Sequence, residues 1–137
     1  MSVLDEALYS YLSSDTRLTE LVSDRIYPVR IAPKSLLPCV VWQPTSAIRE
    51  YTFDPFEDTS AWVKALVQFS CWSENPKIAF DVGDAVLFAL SGYSGDMAGE
   101  YIGSSMAELE LADYEPDTKL FRRLLDFRIS YEDPPRS

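Results

Sequence analysis

Histidine is missing from this 137-residue chain altogether. That removes the side chain that most often serves as a general base near neutral pH. Cysteine is nearly missing too: Cys39 and Cys71 stand alone, with no CxxC pair. A structural zinc site needs four Cys or His ligands, so one chain cannot build it unless subunits share it. Glycine is sparse, and neither GxxxxGK[ST] nor GxGxxG occurs, which leaves no phosphate-cradling loop. No apolar run approaches the roughly 20 residues of a membrane span. The start, MSVLDEAL, lacks the basic and long apolar segments of a signal peptide. Basic residues are also short, 12 against 22 acidic, for a formal charge of −10. A surface of that sign repels a nucleic-acid backbone, because grip on phosphates comes from Lys and Arg displacing counterions. These absences lead to the expectation of an acidic cytoplasmic protein with no cofactor, no metal, no membrane partner and no enzymatic activity.

Three stretches carry candidate catalytic or metal-binding groups. In SGYSGD, residues 91–96, a serine stands near glycines, but Gly92-Tyr93-Ser94-Gly95 is out of register for a GxSxG nucleophile elbow and follows a helix instead of a strand. An ordinary turn is expected there. Glu108 and Glu110 alternate along a strand and read as a solvated face, while Asp54, Glu57 and Asp58 lack the spacing of a calcium loop.

What is present is enough for a core, with 47% hydrophobic and 13% aromatic residues. A chain of this length buries roughly two-thirds of its unfolded surface and folds without staples. Cys39 and Cys71 sit in apolar runs and read as buried free thiols, with a disulfide as the alternative.

Helical spacing of Leu4, Ala7, Leu8, Tyr11 and Leu12 predicts a helix over 2–13, with Ser2 as cap and Asp5 favouring the first turn. A second helix is expected over 16–23, capped by Asp15, with Leu18, Leu21 and Val22 facing inward. An arm follows over 24–38, stiffened by Pro28, Pro33 and Pro38. A strand is expected over 39–46, where Pro44 signals an edge or a bulge, then a loop or hairpin tip over 47–60 that carries Tyr51, Phe53 and Phe56 among charges. Alternation over 61–73 gives the clearest strand. Asn75 and Pro76 open a helix whose stripe runs from Ile78 to Leu90, with Gly92 placed to end it. Residues 91–103 are rich in turn formers. A strand over 105–114 sets Ala107, Leu109 and Leu111 against Glu108 and Glu110. The last strand, 119–132, puts Phe121, Leu125, Phe127, Ile129 and Tyr131 on one face. Arg123 interrupts that face, so it should find an acidic partner or lie at the rim, and snorkelling to water is the simpler account.

The fold expected is therefore α+β: a largely antiparallel sheet of about four strands with helices packed on one face. It is expected to form a single domain over 1–132, followed by a flexible tail over 133–137.

The order of these segments resembles the tail completion, or tail terminator, proteins of long-tailed bacteriophages, prophages and gene-transfer particles. The resemblance lies in LDEALYSYLSSDTRLTELV running directly into DRIYP, then LPCVVWQ, VQFSCWSEN with its helix, and the closing DFRISYED. It implies a structural virion protein that assembles as a ring, often a hexamer, on the last tail-tube ring and joins the tail to the head connector. The implied partners are copies of the chain itself, the tail tube protein and a head-tail connector or neck protein. DNA would pass through the ring without specific binding. Assembly would take place in the host cytoplasm, and the protein would end at the tail-neck junction of the virion. Other readings are a different connector or minor tail protein, or a small acidic protein-binding module.

The residues themselves suggest where neighbours would be met. Head-to-tail contacts need two different surfaces on each subunit. The arm offers Arg25, Tyr27, Arg30 and Lys34, and the aromatic loop offers Arg49, Tyr51, Phe53 and Phe56; these are the subunit-interface candidates. A proline-stiffened arm loses little entropy on docking, and its positive charge suits an acidic neighbour.

Overall fold

The computed structural model describes residues 3–28, 37–51 and 61–133. Three helices and six strands follow in the order α1 (Val3–Ser13), α2 (Thr16–Val22), β1 (Ile26–Pro28), β2 (Cys39–Tyr51), β3 (Ala61–Ser73), α3 (Pro76–Leu90), β4 (Gly95–Met97), β5 (Glu100–Glu115) and β6 (Leu120–Asp133). The α+β class is as expected. The strand number is corrected from about four to six, in one curled sheet of order β1-β2-β3-β6-β5-β4. The two additional strands have three residues each, too few to display a period of two in sequence. All pairings are antiparallel except β1 with β2.

The helix starts follow from local chemistry. Asp15 accepts a hydrogen bond from the Leu18 amide at 2.9 Å, and Asn75 accepts from the Lys77 and Ile78 amides at 2.9 and 3.4 Å. Each cap satisfies amides that the first turn leaves without helical partners. Pro76, at the first turn of α3, has no amide to lose. Past the end of α3, Gly92 takes φ +71 and its amide donates to the Ser105 carbonyl at 2.7 Å, joining the helix end to β5. Ser2, expected as the cap of α1, lies outside the described residues.

Alternation along β3 and β6 sorts the sheet into two faces. Val63, Ala65, Val67, Phe69 and Cys71 stand opposite Tyr131, Ile129, Phe127, Leu125 and Arg123. This face meets the buried stripes of the three helices: Leu4, Ala7, Leu8 and Leu12 from α1, Leu18 and Val22 from α2, and Val82, Ala85, Val86, Ala89 and Leu90 from α3. Helix burial on one sheet face is thus as expected. Phe69 and Phe127 meet edge to face with centroids 5.6 Å apart, a geometry that contributes about 0.5–1.5 kcal/mol beyond area burial.

Two boundaries shift: β5 begins at Glu100, inside the stretch read as turn-rich and ahead of the expected start at 105, and β2 runs on past residue 46. Residues 47–51, expected in a loop, continue β2: a bulge between Pro44 and Ser46 resets the register, and Ser46–Tyr51 then pair in order with Leu66–Ala61. Pro44 therefore marks a bulge inside a long strand instead of its end. The remainder of that loop, the arm over 29–36, and residues 134–137 of the expected tail lie outside the described residues.

Candidate assembly surfaces

No group of three or more His, Cys, Asp or Glu side chains able to hold a metal occurs among the described residues. The thiols are buried and free; burial pushes Cys39 up to about 11 and Cys71 up to about 12, so neither is a nucleophile at neutral pH. A hollow of about 240 Å³ between α2 and α3 is lined by Arg17, Glu20, Leu21, Asp81 and Asp84. No described helix is long and apolar enough to cross a membrane. What the molecule presents is strand edge and side-chain surface.

Three arginines of β6 neutralise three acids of β5. Arg128 Nε donates to Glu108 Oε1 at 2.6 Å, Arg122 Nε to Asp113 Oδ1 at 3.0 Å, and Arg123 NH2 to Glu110 Oε1 at 2.8 Å. The hydrogen bonds from Arg128 and Arg122 hold the Glu108 and Asp113 carboxyls below their ordinary values. Arg123 also reaches Asp84 at 2.6 Å and the Phe80 carbonyl at 2.9 Å, with its guanidinium over the Phe80 ring. The side chain is buried and finds acidic partners; it does not snorkel to water. Gly83 makes this route open, since a Cβ there would collide with the Arg123 side chain.

The expected alternation of β5 is corrected by a bulge between Ala107 and Leu109. Ala107 stands opposite Phe127, on the helix side, but Leu109 and Leu111 stand opposite Asp126 and Leu124, on the other face. Glu108 and Glu110 are consequently bound by arginines from opposite faces and do not form one solvated row. An inserted residue exchanges inside for outside for everything beyond it. The result is an outward apolar stripe of Met106, Leu109 and Leu111, exposed by 61%, 43% and 53%, with Ile48 of β2 exposed by 59% on the same outer face. Apolar side chains grouped among polar neighbours mark contact surfaces. Sequence reasoning missed this stripe; the available signal was Met106, apolar where the alternation called for a polar residue.

The interface candidates fall in three places. Arg25 is at the root of the arm: its Nε donates to the Pro38 carbonyl at 2.8 Å, and its own carbonyl accepts from the Val40 amide at 3.0 Å. Tyr27 is half-buried in β1. Arg49 and Tyr51 lie at the far end of β2, beside Val63 and Ala61 of β3. Arg30, Lys34, Phe53 and Phe56 lie outside the described residues.

An outward apolar stripe and internally matched charges are what this small α+β module presents among the described residues. The sequence matches the family described as Tail completion protein gp17 over residues 6–132, and the chain belongs to that family. It is a structural protein of the virion tail and not an enzyme. Seventeen solved chains match its fold. One is from the "Virion of native gene transfer agent (GTA) particle", at 19% identity and a TM-score of 0.66, covering 94% of each chain. A search of curated proteins gives no match.

Proposed function

We propose that this chain ends the tail tube as a ring, hexameric in the simplest case, and joins the tail to the head connector. The observation that carries this reading is membership of the tail completion family over nearly the whole chain. Its partners are copies of itself, the tail tube protein and a connector or neck protein. Assembly takes place in the host cytoplasm and leaves the protein at the tail-neck junction. The arm over 24–38 reaches a neighbouring subunit, and the aromatic segment with Tyr51, Phe53 and Phe56 supplies a second contact. A net charge of −10 suits a channel that DNA crosses without sticking, because the ring offers few cations to replace its counterions.

Particles assembled without the protein test the reading by electron microscopy. Separate heads together with overlong or unattached tails are the expected result. Normal tails joined to heads would reject it.

A further inference from the structure

The sheet ends in two unlike edges, and each is covered over only a short length by described residues. On the outer side of β2, β1 pairs only with Val40–Trp42. On the outer side of β5, β4 pairs only with Glu100–Ile102. Beyond their bulges both strands run regularly, Ser46–Tyr51 along β3 and Leu109–Glu115 along β6. These two stretches are similar in length, about 20 Å or slightly more at strand rise. A free strand edge carries unpaired N–H and C=O groups, which only another extended backbone satisfies in series. Edges that must stay solitary are blunted by lysine, proline or unmatched charge. Neither stretch contains lysine or proline, and the Glu110 and Asp113 charges of β5 are already met by Arg123 and Arg122.

We infer that the Leu109–Glu115 edge of one copy pairs antiparallel with the Ser46–Tyr51 edge of the next, continuing one sheet from subunit to subunit. This rests on the ring reading above and names the contact that closes it. The direction follows from topology. Three antiparallel steps separate β2 from β5, so the two strands run oppositely within a chain. A rotation that repeats the sheet sideways preserves strand direction, so β5 meets the next β2 antiparallel. The two edges differ, so the contact is head to tail and closes a cycle instead of a dimer. Pairing also places Ile48 of one copy on the same outer face as Leu109 and Leu111 of its neighbour, where their side chains meet laterally.

The register fixes a tilt. Leu111 stands level with Leu124, Ser70 and Val41, seven residues before Ile48 along β2. One of the seven is the residue that the bulge inserts, so with Leu111 set against Ile48 of the next copy the offset is the six steps from Ser70 to Lys64 on β3, about 20 Å along the strands against about 19 Å across four strands. Strands in the ring then lean roughly 45° from its axis, at the upper end of the 35–45° typical of closed barrels.

Cysteine linking tests the contact. Ile48→Cys is combined in turn with Met106→Cys, Leu109→Cys and Leu111→Cys, and a short bis-maleimide is added to the full-length protein, alone and with tail tube protein. Wild type, whose thiols are buried, is the control. At least one double variant should give a ladder of covalent oligomers ending at the ring size, while single variants give none. Rings visible by negative stain with no link in any double variant would overturn the edge pairing and leave the ring reading standing. Dimers from Leu111→Cys alone would show like edges meeting and overturn the head-to-tail arrangement. Absence of rings under every condition would defeat both. Ile48→Lys and Leu111→Lys, at exposed positions, should keep the monomer's thermal transition and lose the ring; rings retained by both would overturn the proposal.

Discussion

Trp42 donates its indole Nε1–H to Asp5 Oδ1 at 2.9 Å, and both side chains are buried. This bond joins the first turn of α1 to the second strand of the sheet, 37 residues further along the chain. It also satisfies a polar atom of one of the largest fully buried side chains.

Asp5→Ala should therefore leave a buried indole donor without its partner. The expected loss is about 1–3 kcal/mol, seen as a drop of roughly 3–9 °C in Tm. Asp5→Asn keeps an acceptor oxygen and should retain most of the stability. Equal melting of wild type and Asp5→Ala would remove this bond from the forces holding α1.

Gly83→Ala reverses an ordinary rule. Alanine usually stabilises a helix interior by about 1 kcal/mol over glycine. Here the added methyl enters the space of the Arg123 side chain, which Asp84, Glu110 and the Phe80 carbonyl hold in place. Overpacking of this kind costs about 1–3 kcal/mol. In an Arg123→Ala background the space is open, and Gly83→Ala should become neutral or stabilising. A double-mutant cycle by chemical denaturation reads the coupling directly.

The pairs on β5 give a signed pH dependence. Glu108 and Asp113 have folded values lowered by hydrogen bonds from Arg128 and Arg122, below their ordinary 4.5 and 3.8. Their stabilising contribution is complete above those ordinary values and fades as pH falls through the lower folded ones. Both pairs are at least partly exposed to solvent, so the effect is small and weakened by salt. Thermal melts from pH 6 to 2.5 should fall less steeply in the Arg122→Gln, Arg128→Gln double variant than in wild type.

The thiols titrate with the opposite sign. Burial raises Cys39 to about 11 and Cys71 to about 12 from an ordinary 9.0. Stability from keeping them neutral is present below pH 9 and is lost as pH rises from there through the folded values. At pH 8 an aromatic disulfide reagent should find no thiol in the folded protein and two per chain in guanidinium. Rapid reaction of the native protein would contradict the burial of these side chains.

The triple variant with Tyr51, Phe53 and Phe56 replaced by serine separates assembly from folding. The monomer should melt as wild type does, while ring formation or attachment to tail tubes is impaired. A matching loss of monomer stability would place these rings in the core.

Much of the architecture was legible because it is written in periods and caps. Asp15, Asn75 and Pro76 announce helix starts by what their own atoms do to the next turn, and the β3 alternation declares which residues face the helices. Legibility failed where one residue changed the count. Pro44 signalled its bulge, since proline cannot donate to a ladder, but nothing in a period of two marks the one at Ala107/Leu109, and each exchanges the faces beyond it. The candidate surface suffered most, since Leu109 and Leu111 read as inward and stand outward. The partners of Arg123, 13 and 39 residues away, could not be assigned from spacing either.

By itself the sequence determined the helices, the main strands and the lack of histidine-based chemistry, because those depend on residue type and on neighbours a few positions apart. The tertiary structure alone decided which arginine meets which acid, where Trp42 finds Asp5, and which face Leu109 and Leu111 take. Those are pairings between distant segments, and their geometry is fixed only when the sheet closes on its register.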